Sequence, residues 1–209
     1  MQLAAERCLS SKGRALCIIA ALFFCAPVVV ADNPSSKMGI FTSKDARVDT
    51  GLQFTDATGK VGSLSSFVLP TKPFILVPIF YQCPRLCGLT FSGLVELVKA
   101  LPLTLGKDYS VVSYSFNPEE GPQQSSAMRA TVTRMLDKTV PLDSWRFLTA
   151  DRTVITAIND QLGFRVRYAD KELEHSSAIF ILSPDGKVRR YFAGVHFNSE
   201  KVAAVLQEQ

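Results

Sequence analysis

The sequence predicts an α/β fold in which a central, mainly parallel sheet is flanked by helices and preceded by an N-terminal β-hairpin. Three observations predict it. Apolar runs of strand length alternate with longer segments of helical period. The run Pro73-Phe-Ile-Leu-Val-Pro-Ile-Phe-Tyr81 is apolar at nearly every position, which is how a strand buried on both faces reads. The chain then closes on two strand-like runs around Pro184-Asp185-Gly186, followed by a short helix.

Each element follows from local pattern. Leu52–Thr55 and Val61–Phe67, joined by the turn residues Asp56-Ala57-Thr58-Gly59, predict the hairpin. After the Pro73–Tyr81 strand, Pro84 suits the first position of a helix. Leu86, Leu89 or Thr90, Leu94, Leu97, Val98 and Leu101 continue that helix, and Pro102 ends it. Tyr109–Phe116 reads as a second strand. Ser125–Lys138 reads as a helix with Met128, Val132, Met135 and Leu136 on one side, and Trp145–Thr149 as a short strand with Trp145 and Phe147 in the core. Asp151 caps a helix that runs to Leu162, with Gly163 at its C-terminal end. Ala178–Leu182 and Lys187–Phe192 form the closing hairpin, and Ser199 caps a last helix, Glu200–Gln207. This order of elements matches the thioredoxin plan.

The first 31 residues read as a targeting segment. Arg7, Lys12 and Arg14 outweigh Glu6 and precede an apolar run of 17 residues, Ala15–Ala31. Val29-Val30-Ala31 resembles a cleavage site. The run is also at the lower limit for spanning a bilayer, so a signal peptide and an N-terminal anchor are both open. Either way the rest of the chain is expected outside the cytoplasm. A lipid-modified Cys25 fits less well, because bulky Phe24 precedes it. Residues 32–48 are polar and read as a linker, leaving 49–209 as one domain. A net charge of +4, with basic and acidic residues interspersed, gives no footprint for nucleic acid.

Cysteine usage narrows the chemistry. Of five cysteines, Cys8, Cys17 and Cys25 lie in the leader, and only Cys83 and Cys87 remain in the domain. A pair four residues apart closes too short a loop to stabilise much, so its chemistry is the better explanation. The pair follows a buried strand and opens a helix, where ligands gather in open α/β sheets and where the helix dipole favours thiolates. Positions i and i+4 share a helical face, and soft thiolates suit Cu(I) or zinc. Redox and metal roles both remain open on spacing alone. The chain has two histidines. His175 directly precedes the strand Ala178–Leu182, and in a thioredoxin fold that loop faces the cysteine helix. Oxidoreductases of this fold carry a cis-proline there, whereas residues 170–178 hold none. His196, in Gly194-Val-His-Phe197, reads as a surface or packing residue, and Arg85 as solvated.

Several segments together resemble the Sco/SenC family: Tyr81-Gln-Cys-Pro-Arg-Leu-Cys87, Val112-Ser-Tyr-Ser-Phe-Asn-Pro-Glu119, Trp145-Arg-Phe-Leu-Thr149, His175-Ser-Ser-Ala-Ile-Phe-Ile-Leu-Ser-Pro-Asp-Gly-Lys187 and Arg190-Tyr-Phe192. The C-x-x-x-C pair alone is weakly specific, but its combination with a histidine before the closing hairpin is highly specific. The resemblance covers Gly51 to the C-terminus. It implies a thioredoxin-like fold facing the periplasm or the mitochondrial intermembrane space. It also implies a copper ion held by Cys83, Cys87 and His175. The implied task is assembly of the binuclear copper site of cytochrome c oxidase, by copper donation or by reduction of the target cysteines. The implied partners are the oxidase copper subunit (subunit II) and a second periplasmic copper chaperone. Family members often have Asp at the position of Asn117, so a charged supporting role there is not carried over. A peroxidase on a related scaffold is disfavoured, because Tyr81 stands where that family places a threonine.

Overall fold

The computed structural model describes residues 38–83, 87–136, 142–169 and 172–208. The targeting segment and Pro84, Arg85 and Leu86 lie outside them. In chain order the strands are β1 (Gly39–Ile40), β2 (Gln53–Asp56), β3 (Val61–Ser63), β4 (Phe74–Ile79), β5 (Ser110–Ser115), β6 (Trp145–Thr149), β7 (Phe164–Arg165), β8 (Arg167–Ala169), β9 (Glu172–Glu174), β10 (Ala178–Leu182) and β11 (Val188–Ala193). The α-helices are α1 (Cys87–Ala100), α2 (Pro122–Met135), α3 (Arg152–Leu162) and α4 (Ser199–Gln207).

Seven strands form the central sheet in the order β11-β10-β4-β5-β6-β2-β3. Only β4–β5 and β5–β6 pair in parallel; the other neighbours are antiparallel. The expectation of a mainly parallel sheet is therefore corrected. The central strands need helical crossovers and run parallel, whereas hairpins add two antiparallel strands at each edge. The α/β, thioredoxin-like architecture itself holds, with helices on both faces.

The period-2 alternation of β4 divides the core. Ile75, Val77 and Ile79 pack with Leu94, Val98, Val132 and Val202 on the face of α1, α2 and α4. Phe74 and Leu76 pack with Phe54, Ile155, Ile158 and Leu162 on the face of α3. All six residues of β4 are buried, as are all six of β5. The serines of β5 are satisfied there: Ser110 Oγ accepts from Leu69 N at 3.0 Å and Ser113 Oγ from Trp145 Nε1 at 3.0 Å.

Part of the segment read as a linker is packed. Ala46 and Val48 are buried, Val48 N donates to Gly186 O, and Val188 N donates to Ala46 O. Phe41 N donates to Gly163 O at 2.7 Å, and β1 pairs with β7. Gly163 ends α3 in the left-handed conformation, φ 67°, and a Cβ there would lie 2.4 Å from Phe41 C and O. Gly163→Ala thus combines an unfavourable φ with a backbone overlap. It is expected to lower unfolding free energy by about 2 kcal/mol or more, read by urea denaturation.

The remaining caps follow sequence logic with small shifts. Asp151 accepts from Val154 N at 3.0 Å, as expected. The last helix is capped by Asn198, whose Oδ1 accepts from Lys201 N at 2.8 Å, rather than by Ser199. Helix α2 starts earlier than read, with Pro122 in its first turn and the Gln124 side chain accepting from Gly121 N at 3.0 Å. Asp56 anchors the first hairpin turn by accepting from Thr58 N, Thr58 Oγ1 and Lys60 N. Burial raises its pKa, but those three hydrogen bonds outweigh burial and hold the carboxyl below its ordinary value.

Candidate metal centre at one end of the sheet

Sheet topology brings the chemistry-bearing residues to one end. Strand β4 runs into Phe80, Tyr81, Gln82 and Cys83. Strand β10 is antiparallel to β4, with Phe180 opposite Leu76 and Leu182 opposite Phe74. The residues just before β10 therefore come to the end of the sheet where β4 finishes. Those residues are His175, Ser176 and Ser177.

Cys83 is half-buried against the core on the α1 face, and its N–H donates to Phe80 O at 3.2 Å. Cys87 opens α1, as the sequence indicates, although its side chain lies outside the described residues. His175 is half-buried, its ring centroid 4.7 Å from that of Phe116. Its Nδ1 is 3.0 Å from Ser176 O. Donation from Nδ1–H to that carbonyl assigns the tautomer whose Nε2 carries the lone pair, the arrangement usual in metal-binding imidazoles. The histidine loop is tied to the cysteine helix by Thr90 Oγ1 and Ser177 Oγ, 3.1 Å apart. Among the described residues no group of three His, Cys, Asp or Glu side chains is close enough to hold a metal, and the Cys87 thiol is not among them.

A third wall of this end escaped the sequence reading. It is the turn from β5 into α2, residues 116–121. Phe116 underlies the His175 ring and meets Phe80 edge-on at 6.4 Å. Asn117 Oδ1 accepts from Glu119 N at 3.1 Å, so its amide shapes the turn. Glu120, 4% exposed, reaches back to the cysteine loop. Its Oε2 accepts from Tyr81 N at 2.9 Å and its Oε1 from Gln82 N at 2.7 Å. Ser115 Oγ donates to Oε2 at 2.5 Å. Burial pushes the Glu120 carboxyl above its ordinary pKa, and these three hydrogen bonds oppose that push. In sequence, Glu120 is marked only by its place directly after the segment Val112–Glu119.

Tyr81 anchors the same loop from below. Its hydroxyl lies 2.9 Å from both Ser113 O and Leu148 O, so its one proton serves either carbonyl. Burial and then the Glu120 charge hold its pKa well above the usual value. His196 follows Gly194, whose N–H donates to Ser177 O at 2.8 Å. It is exposed and lines a groove of about 350 Å³ with Leu89, Gly93, Glu96 and Phe197. A larger cleft of about 510 Å³ lies between Lys72, Asp108, Pro184 and Arg189, where β4 and β5 begin, at the opposite end of the sheet.

The family model described as SCO1/SenC matches residues 42–209. A protein of Aquifex aeolicus VF5, provisionally described as an electron transfer protein, superposes with TM-score 0.70 and 23% identity, over 79% of this chain and 93% of that one. BsSco, described as a member of the Sco family of cytochrome c oxidase assembly proteins with a disulfide switch, gives TM-score 0.62 and 21% identity, over 80% and 95%. Copper-bound ScoI of Bradyrhizobium japonicum gives TM-score 0.55 and 21% identity, over 75% and 95%. At these identities the superpositions establish the fold. Among curated proteins, none matches the sequence significantly.

Proposed function

The chain belongs to the SCO1/SenC family, and on that premise we propose that it is a copper-binding metallochaperone working outside the cytoplasm. Cys83, Cys87 and His175 take one copper ion as cargo, and the protein assists assembly of the binuclear copper site on subunit II of cytochrome c oxidase. Two thiolates and an imidazole suit copper in both oxidation states. The observation that most supports this is His175 itself. Its ring nitrogen Nδ1 faces a backbone carbonyl, and its loop is hydrogen-bonded to the helix that Cys87 opens. The copper-bound neighbour and the oxidase-assembly neighbour are consistent with the same reading. Placement outside the cytoplasm rests on the basic flank and apolar run of residues 1–31.

A second reading has its own support: Cys83 and Cys87 reduce a disulfide in the oxidase subunit by thiol–disulfide exchange. The disulfide switch described for BsSco favours it. Cells lacking this protein test the shared premise. Oxidase activity should return with the full chain. It should stay low with a version starting at Asp32, and with one carrying Cys83→Ser and Cys87→Ser. Full activity from the version without residues 1–31 contradicts the proposed location. Full activity from the double variant contradicts both readings.

A further inference from the structure

Glu120 has features that an accidental turn residue lacks. It is buried, it accepts from the two consecutive backbone N–H groups that directly precede Cys83, and one oxygen also takes the Ser115 hydroxyl proton. The two amides can only donate, and Ser115 Oγ, whose one proton serves Glu120 Oε2 at 2.5 Å or Asn117 O at 3.3 Å, is the third, equally neutral partner. A carboxylate whose partners all donate is satisfied as an anion. Buried this way, it is a fixed negative charge screened less than a surface charge would be.

We propose that Glu120 is a positioning residue for the cysteine loop and the fixed anion that biases bound copper toward its more positive oxidation state. This rests on the copper reading above. The charge count sets the sign. With two thiolates and a neutral imidazole, a Cu(II) site is neutral and a Cu(I) site carries one negative charge. Reduction, Cu(II) + e⁻ → Cu(I), therefore adds negative charge at the loop whose amides just before Cys83 this carboxylate holds, and like charges disfavour one another. The two amide hydrogen bonds to the same carboxylate fix the backbone from which the Cys83 thiol projects.

The test uses the full chain, with Cys8, Cys17 and Cys25 replaced by Ser in every version. Copper is bound, and the Cu(II) signal is followed at an electrode of controlled potential. At a fixed potential, Glu120→Gln should raise the Cu(I):Cu(II) ratio about tenfold, ~59 mV for a one-electron couple. Glu120→Asp, which keeps the charge, should stay within about twofold of the parent. A loss of shape alone would move both variants. An unchanged ratio in the Gln variant, or an equal shift in the Asp variant, overturns the proposal. If the Gln variant does not fold, the Asp variant decides: a ratio near the parent sustains the proposal and a tenfold shift refutes it. Failure of the parent to take up copper defeats the copper reading separately. Glu120 is then judged as a positioning residue by hydrogen exchange at the Tyr81 and Gln82 amides: Glu120→Ala should speed their exchange about tenfold or more, and unchanged exchange overturns the role.

Discussion

His175→Ala is expected to cost Cu(II) retention at least about a hundredfold, while the disulfide between Cys83 and Cys87 still forms. Removing a group that merely orients a metal ligand typically costs 10–100-fold in affinity, so removing a ligand itself belongs at or beyond the upper end. The loss is unequal between oxidation states. Cu(I) is soft and accepts low coordination, so two thiolates hold most of its affinity, and about tenfold or less should be lost. Cu(II) depends on the imidazole. Thiol–disulfide exchange needs two sulfurs and an accessible thiolate but no third ligand, so redox cycling of the pair should persist. The consequence in cells separates the two functions. If copper delivery is the task, oxidase activity falls with this variant and added copper partly restores it. If reduction is the task, the variant supports assembly at ordinary copper levels despite its poor copper retention. The stability cost should be small, because His175 is only half-buried and meets Phe116 at a tilt, ring centroids 4.7 Å apart, at one edge of the core.

Much of this architecture was legible because local signals agreed with one another. Trp145–Thr149 forms a strand within the limits its residues suggest, and Asp151 and Gly163 bracket the following helix. There a polar cap and a left-handed glycine mark the ends of a strongly periodic segment. The closing hairpin was equally clear, since Pro184-Asp185-Gly186 interrupts two β-rich runs. Strand direction was not legible. An apolar run reads alike in parallel and antiparallel pairing, so the balance of pairings emerges only from which strands become neighbours. The β8–β9 hairpin was missed because Arg167–Glu174 is charged and shows no alternation of apolar and polar residues. Residues 39–48 read as a linker because their anchorage is to backbone groups at Gly163 and Gly186, far along the chain.

The site divides in the same way. Cys83, Cys87 and His175 are nominated by residue type, spacing and resemblance, since thiols and imidazoles are rare in this domain and stand beside recognisable elements. Glu120 was not found, because an acidic residue in a Pro- and Gly-flanked turn usually faces water. Its burial depends on the β5–α2 turn folding back over the cysteine loop, which no local pattern encodes.

The second large effect is loss of copper on removing the thiols, and it bears most directly on the whole account. Serine is close to cysteine in size but offers a hard, protonated oxygen where Cu(I) prefers a soft thiolate. Replacing both residues should leave the fold intact, because Cys83 is only half-buried at the core margin. The decisive measurement is an anaerobic Cu(I) titration against a competing chelator. It uses the chain whose leader cysteines are replaced by Ser, with and without Cys83→Ser plus Cys87→Ser. The account expects one tightly held copper per chain in the parent and none that competes with the chelator in the double variant. A parent that leaves all the copper with the chelator, or a double variant that binds as tightly as the parent, would contradict it.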